Sequence, residues 1–179
     1  MKILFYGLMC LVAQAIFSLA FGAVAHSLPP KAAIAACFES AARIYRIDPL
    51  LLIAIAEVES GMNPRAVGLN RRQGKVVSED VGLMQINSSW FPFLKNKWGI
   101  TREKLLNDPC QNIYVGAYIL AKNISANGVN WESVGAYNAG FKNANAPFRM
   151  RYAKRVYARY LSFLDKERGD VFSRLSMSK

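Results

Sequence analysis

Asp48-Pro49 opens an apolar run, Leu50 to Val58, that is broken only by Glu57 and ends in Glu59-Ser60-Gly61. Aspartate is a good N-cap, and proline suits the first helical position. Gly61 supplies a C-terminal stop, and Asn63-Pro64 prevents continuation. The spacing therefore predicts one helix from about Pro49 to Ser60. A helix this apolar must be covered by other elements, which restricts the chain to folds that bury it. It also leaves two acids, Glu57 and Glu59, in its last turn. Two residues along a helix amount to about 200° of rotation, so only one of these acids can face a given site.

The rest of the chain reads mostly as helix. Residues 31–45 place Ile34, Cys37, Phe38, Ala41 and Ile44 at helical spacing, with Lys31, Glu39 and Arg43 elsewhere. Asp108-Pro109 repeats the cap-plus-proline signal and opens a stripe of Cys110, Ile113, Tyr114, Ala117, Tyr118, Ala121 and Ile124 that ends at Asn127-Gly128. Thr101 caps a brief helix to Leu106, and Asn130 caps another to Tyr137. Trp90, Phe91, Phe93 and Trp98 fall in short helical turns across 88–100. Pro147 opens a last helix with Phe148, Tyr152, Val156, Tyr160 and Phe163 along one face and Arg149, Arg151, Lys154, Arg155 and Arg159 making it basic. Glycines and Arg71-Arg72 across 65–81 indicate a loop or a short β-hairpin. No repeat appears. The expectation is one compact, mainly α domain over 26–168, followed by a polar tail at 169–179 that is open to disorder.

Lys2 is followed by an apolar run from Ile3 to Val24, and Ala23-Val24-Ala25 has the small-x-small pattern of a signal peptidase site. Residues 1–25 are read as a signal peptide cleaved after Ala25, with an uncleaved anchor as the alternative. Export to the periplasm changes how the cysteines read. Cys10 leaves with the signal, and Cys37 and Cys110 remain as an even pair in an oxidising compartment. A bond between them is expected, two free thiols being the other possibility. Closing the loop between them would contribute about 4 kcal/mol in the chain-entropy model. The formal charge is +11, and losing Lys2 leaves +10. Such a field speeds capture of an anionic partner. Nucleic acid and the peptide carboxylates of a cell wall both qualify, and export favours the wall.

Two further motifs lie downstream of the acidic helix end. Asp80-Val81-Gly82-Leu83-Met84-Gln85-Ile86-Asn87 comes about twenty residues later, and Ala136-Tyr137-Asn138-Ala139-Gly140 follows. An acid on an apolar helix and these two turns, in this order across roughly Ala33 to Leu164, resemble the lytic transglycosylases of the soluble transglycosylase family. The resemblance implies an α+β, lysozyme-like fold with a sugar-binding cleft. It implies cleavage of the β-1,4 bond between N-acetylmuramic acid and N-acetylglucosamine in peptidoglycan. The Glu-Ser step of the family motif falls on Glu59-Ser60, which selects Glu59 over Glu57 as the catalytic acid. In such enzymes one carboxyl protonates the glycosidic oxygen, then takes the proton of the muramyl 6-hydroxyl as that oxygen closes on C1. The product is a 1,6-anhydro sugar, and no metal or cofactor is implied.

A carboxylic acid delivers a proton at neutral pH only if its pKa is raised. Burial on an apolar helix and the negative end of the helix dipole would both raise that of Glu59. Ser78 to Ser88 also resembles the corresponding segment of animal c-type lysozymes, in which the position of Asp80 is a second catalytic carboxylate. Asp80 is thus a candidate second acid, with a turn aspartate binding backbone amides as the plainer reading. Ser60, Met84, Gln85, Asn87, Tyr137, Asn138 and Tyr152 are the expected substrate-binding residues. For Tyr152 an orienting bond to Glu59 and core packing stand level, and Tyr118 and Tyr160 read as core.

The lone histidine, His26, stands at the expected mature terminus, so a Ser-His-Asp triad or a histidine metal site in the domain lacks its central residue. The resemblance is nearest to the small single-domain members that serve type III or type IV secretion, conjugation or pilus assembly. It implies components of such a machine as partners, glycan strands as substrate, no nucleic acid, no membrane span after cleavage, and a monomer. Three other readings use the same residues. A hydrolytic muramidase would need Asp80, a wall-binding scaffold would not need Glu59, and a protein acting through charge alone would fail in high salt.

Overall fold

A computed structural model describes residues 31–177, so the expected signal segment, its cleavage site and His26 lie outside the described residues. The described chain forms helices α1 (Lys31–Tyr45) and α2 (Pro49–Ser60), then strands β1 (Val67–Arg72), β2 (Lys75–Val81) and β3 (Ile86–Asn87). A 3-10 turn at Ser88–Trp90 leads into α3 (Phe91–Trp98), α4 (Arg102–Asn107), α5 (Pro109–Asn127) and α6 (Trp131–Ala139). A second 3-10 turn at Asn143–Asn145 leads into α7 (Ala146–Met177). The last helix therefore continues through the segment expected as a tail from residue 169, whose backbone is helical to Met177. No helix among the described residues is long and apolar enough to cross a membrane.

Helix α2 is the centre of the packing. Leu52, Ala54, Ile55 and Ala56 are fully buried in it, as its composition requires. The side chain of Asp48 accepts from the Leu50 amide at 2.8 Å, and Gly61 closes the helix at φ 59°, a left-handed conformation that favours glycine. Helix α7 runs antiparallel to α2 and grips both its ends. Tyr160 donates its hydroxyl to the capping Asp48, while Tyr152, eight residues earlier, reaches Glu59 at the far end.

Helix α1 packs on α5 and is joined to it by the Cys37–Cys110 disulfide, with Cα atoms 5.4 Å apart. The bond closes a loop of 73 positions, for which the chain-entropy model gives about 4 kcal/mol. Ile44, expected on the buried stripe of α1, is 62% exposed, because the helix ends one residue later and the chain turns at Arg46 (φ 54°). Phe148, expected on the buried face of α7, is likewise exposed in its first turn.

The segment 65–81 resolves as a hairpin, and Asp80-Asn87 and Val81-Ile86 pairing adds β3 to make an antiparallel sheet in the order β1-β2-β3. The pleat sends Gly68, Asn70, Ser78 and Asp80 to one face and Leu69 and Glu79 to the other, with an irregularity between Asn70 and Arg71. On the outer face Glu79 takes a paired bond from Arg102 of α4 at 2.7 and 2.8 Å, which pins the sheet to the helices.

Between β2 and β3 the Gly82-Leu83-Met84-Gln85 turn lies on α5. Buried Asn112 accepts from the Met84 amide at 2.8 Å and donates to the carbonyls of Val81 and Leu105 at 2.9 and 3.2 Å. Gly82 (φ 78°) leaves no room for a side chain: a Cβ there would stand 2.1 Å from the Asn112 amide nitrogen. Gly116 on α5 is needed for the same close approach, since its Cβ would meet Met84 at 2.7 Å.

Candidate active site

The C-terminus of α2, the polar face of the sheet and the end of α6 enclose a cleft of about 560 Å³. Its lining includes Glu59, Asp80, Gln85, Asn87, Tyr137 and Asn138, so six sequence-predicted residues meet there. The three motifs, separated along the chain, are brought to one place because α2 packs on α7 while the turn at 82–85 seats on α5.

Glu59 points into this cleft, and Glu57 points away. Glu57 borders a separate groove and pairs with Arg159 of α7 at 3.3 Å. Burial raises the Glu59 carboxyl from its ordinary 4.5 to about 7. The Tyr152 hydroxyl, donating to Glu59 Oε1 at 2.6 Å, opposes the rise, the charge of Asp80 adds to it, and that of Arg155 opposes it. The group is thus poised to hold its proton near neutrality and to release it when a stronger base develops beside it. Tyr152 is 4% exposed and lies behind the acid, outside the cleft lining. Its hydroxyl is engaged with Glu59, and it presents no open surface to the cleft. Burial, reinforced by the nearby Glu59 charge, pushes its own phenol well above the ordinary range, so it stays a donor.

Asp80 sits on the sheet side in a different environment. Its Oδ2 accepts from Asn70 at 2.6 Å and its Oδ1 from Asn87 at 2.8 Å, while both amides also reach Ser78 Oγ. The Asn87 amide is therefore occupied in clasping Asp80, and its oxygen accepts from the Ser89 amide. Asn70 escaped the sequence reading. Its signal was the strand register, which places it across from Ser78 and beside Asp80, and that register could not be read before the pairing was known.

Two expected contact residues do different work. Met84 is fully buried under Gly116, and what it offers the site is its carbonyl, which accepts from the Tyr137 hydroxyl at 2.8 Å. Ser60 does not line the cleft: its hydroxyl bonds the Leu83 carbonyl at 2.8 Å and the Ala56 carbonyl at 3.1 Å. Ser60 and Tyr137 thereby staple the 82–85 turn to α2 and α6. Gln85 lines the cleft, but its amide nitrogen bonds the carbonyls of Gly82 and Ala66 at 2.8 and 3.2 Å and holds its backbone at φ 45°. Asn138 is exposed in the lining and is the motif amide best placed to meet a ligand.

Trp90, read from sequence only as part of a helical turn, and Asn123, which the sequence did not single out, also line the cleft. Arg149, one of the cations expected to make α7 basic, is only 7% exposed. It donates to the carbonyls of Gly140 and Lys142 at 3.2 and 2.8 Å and pairs with Glu132, so it anchors the loop that follows the third motif. Gly135 of α6 permits this, since a Cβ there would meet the Arg149 carbonyl oxygen at 2.5 Å.

A model of the transglycosylase SLT domain matches residues 36–159 of this chain. The chain belongs to that family. The enzyme class follows: a peptidoglycan lytic transglycosylase with a mainly α, lysozyme-like fold. Among curated relatives, the invasion protein IagB of Salmonella typhi is 42% identical over 142 residues, 79% of this chain and 86% of that protein. A peptidoglycan-binding-like protein of Escherichia coli O157:H7 is 44% identical over 130 residues, 72% of this chain and 78% of the relative. The X polypeptide of Escherichia coli strain K12 is 46% identical over 126 residues, 69% of this chain and 72% of the relative. Among solved structures, an inactive mutant of the lytic transglycosylase Slt of Pseudomonas aeruginosa superposes with a TM-score of 0.56 at 21% identity. The match covers 74% of this chain and 24% of that one, and it is a likeness of fold. In this transglycosylase the matched region takes in Glu59, Asp80 and the Tyr137-Asn138 pair, all within 36–159.

Proposed function

We propose that the enzyme cuts the bond between N-acetylmuramic acid and N-acetylglucosamine without water and leaves 1,6-anhydro ends. The observation that carries this reading is the state of Glu59: partly buried, held by one phenol, raised to about 7 and open to the cleft. Protonated Glu59 gives its proton to the glycosidic oxygen as the bond from that oxygen to C1 breaks. The substrate's own acetamido oxygen takes up the electron deficiency at C1. The Glu59 carboxylate then removes the proton of the C6 hydroxyl, O6 bonds C1, and the acetamido group is released. Glu59 ends protonated, as it began, so one residue serves both steps and nothing is consumed. Tyr152 keeps the carboxyl oriented in both, and Asn138 is positioned to hold the acetamido group.

A second reading rests on Asp80, which faces the same cleft with both oxygens fixed. There it would support C1 while water attacks, giving a hydrolytic muramidase. Mass spectrometry of muropeptides released from purified peptidoglycan separates the two. Products one water lighter than the hydrolytic ones, absent with Glu59→Gln, support the first reading. Reducing ends that require Asp80 would transfer it to the second.

The same proposal places the mature enzyme in the periplasm, exported by residues 1–25, so sequencing of the exported protein should start at His26. Its similarity to the invasion protein IagB supports a local role, opening the wall for a secretion, conjugation or pilus apparatus. In the source cell, a Glu59→Gln allele should leave that apparatus unassembled while growth continues. Normal assembly would remove the local role and leave the chemistry standing.

A further inference from the structure

The β1-β2 hairpin ends in a tip that the catalytic cleft does not use. Arg72 and Lys75 pair across a two-residue turn, with Gln73 at φ 50° and Gly74 at φ 78°. Arg71 donates to the Gly74 carbonyl at 3.1 Å and closes the turn from the side. Three aliphatic side chains stand out around it: Leu69 is 52% exposed, Val76 49% and Val77 62%. Val77 has no partner across the ladder, because it falls at the irregularity opposite Asn70 and Arg71. Single exposed aliphatic groups are ordinary, but three gathered on one projection make a contact surface.

The same tip is cationic. Arg71, Arg72 and Lys75 are exposed, and the sequence has no carboxylate from Ser60 to Ser78. The next acids along β2 are committed, Glu79 to Arg102 and Asp80 to the Asn70 and Asn87 amides on the cleft side. The field around the tip is therefore positive, with apolar groups among the charges. A second copy of the chain would bring like charges together at such a contact. A protein partner would need a groove shaped to a convex turn. A bilayer needs no such fit, since lipid closes around a projection. Anionic headgroups pair the cations, and the boundary with the acyl chains takes the aliphatic groups.

We infer that the hairpin tip docks on a bilayer that carries anionic phospholipid. Val76 and Val77 enter the headgroup boundary, and Arg71, Arg72 and Lys75 pair phosphates. The contact is peripheral and reversible. Strand β2 brings Asp80 to the cleft only four residues beyond Val76, about 13 Å along a strand. Docking thus holds the cleft close to the membrane surface. Binding at the tip is independent of what the cleft cuts.

Sedimentation with vesicles tests it, using the mature enzyme without residues 1–25. One set of vesicles is phosphatidylcholine alone, and the other mixes in phosphatidylglycerol. The enzyme should bind the anionic set and leave the neutral one, and binding should weaken as salt rises. Arg72→Glu with Lys75→Glu should lower partitioning by at least about tenfold, each lost cation being worth about fivefold. Val76→Ser with Val77→Ser should lower it by about threefold or more. Arg151→Glu with Lys154→Glu makes the same change of charge on exposed residues of α7, and should lower it by less than about threefold. The four tip residues are exposed and do not line the cleft, so muropeptide release should be unchanged in both tip variants. Equal losses from the tip and α7 charge changes would reduce the effect to net charge and overturn the inference. Full binding by the valine variant would overturn it as well. No binding of the unaltered enzyme to anionic vesicles would overturn it and leave the tip to an acidic protein partner.

Discussion

Glu59 and Asp80 face one cleft from two different kinds of backbone. Glu59 ends an apolar helix that is buried against α7, and it is met by a single phenol. Asp80 lies on the polar face of a small sheet, where two asparagine amides take its two oxygens. On the helical side, burial outweighs the hydrogen bond and the carboxyl keeps its proton up to about pH 7. On the sheet side, the amides supply direction, and the carboxylate acts on Glu59 through its charge. Two identical functional groups in one cleft thus receive unlike work. Withholding solvent suits a carboxyl to act as a general acid, and supplying donors suits one to act as an electrostatic partner.

The most direct way to break this contrast is at the acid. Glu59→Gln should lower turnover of peptidoglycan by about 10²–10⁴-fold, the range for losing a general acid and base. Release of soluble muropeptides measures it, and a loss under tenfold would move the chemistry elsewhere.

The sheet side can be broken from below. Asn112→Ala strands the Met84 amide and the Val81 carbonyl in the core, so it should cost about 3 kcal/mol in denaturant unfolding. Activity should fall with it, since the turn it supports carries Gln85 and the Met84 carbonyl that holds Tyr137.

The helical side makes a prediction of opposite sign for stability. A carboxyl whose pKa is raised by folding binds more protons in the native state between its ordinary value and its folded one. Its favourable contribution is complete below pH 4.5 and is lost as pH rises through about 7. Removing the ionisable group removes that loss. Glu59→Gln should therefore match the parent at pH 4.5 and exceed it at pH 8 by up to about 3 kcal/mol, the free-energy equivalent of the shift. Thermal unfolding at the two pH values reads the difference, and a less stable variant at pH 8 would contradict the assignment.

The finest test turns the two sides against each other. The alkaline limb of kcat/KM reports the free acid, falling as Glu59 loses its proton. Tyr152→Phe removes a bond that lowers the Glu59 pKa, so the limb should move to higher pH. Asp80→Asn removes a charge that raises it, so the limb should move to lower pH. Movement in one direction for both would mean that they act through packing rather than through the acid.

Much of this was legible before folding, for local reasons. The caps Asp48, Thr101, Asp108 and Asn130 each accept from their own helix, and the helices begin where those residues stand. The contributions of Asn70 and Arg149 were not legible, because each depends on a partner remote in the chain or on a loop that side-chain pattern does not describe. Met84 shows the limit most plainly. Its place in a motif suggested contact with sugar, but the small residue that receives it, Gly116, lies 32 positions away on another helix. The strand β3 is two residues long and has no periodicity to read.

The sequence alone determined the helical frame, the acid at the end of its most apolar helix, and the order of the three motifs, since hydrophobic spacing and capping act within a few residues. The tertiary structure decided which acid faces the cleft, what holds each carboxylate, and which motif residues line the site or support it. Those outcomes depend on solvent exclusion and on hydrogen bonds between segments far apart in the chain, and both come into being only when the layers close.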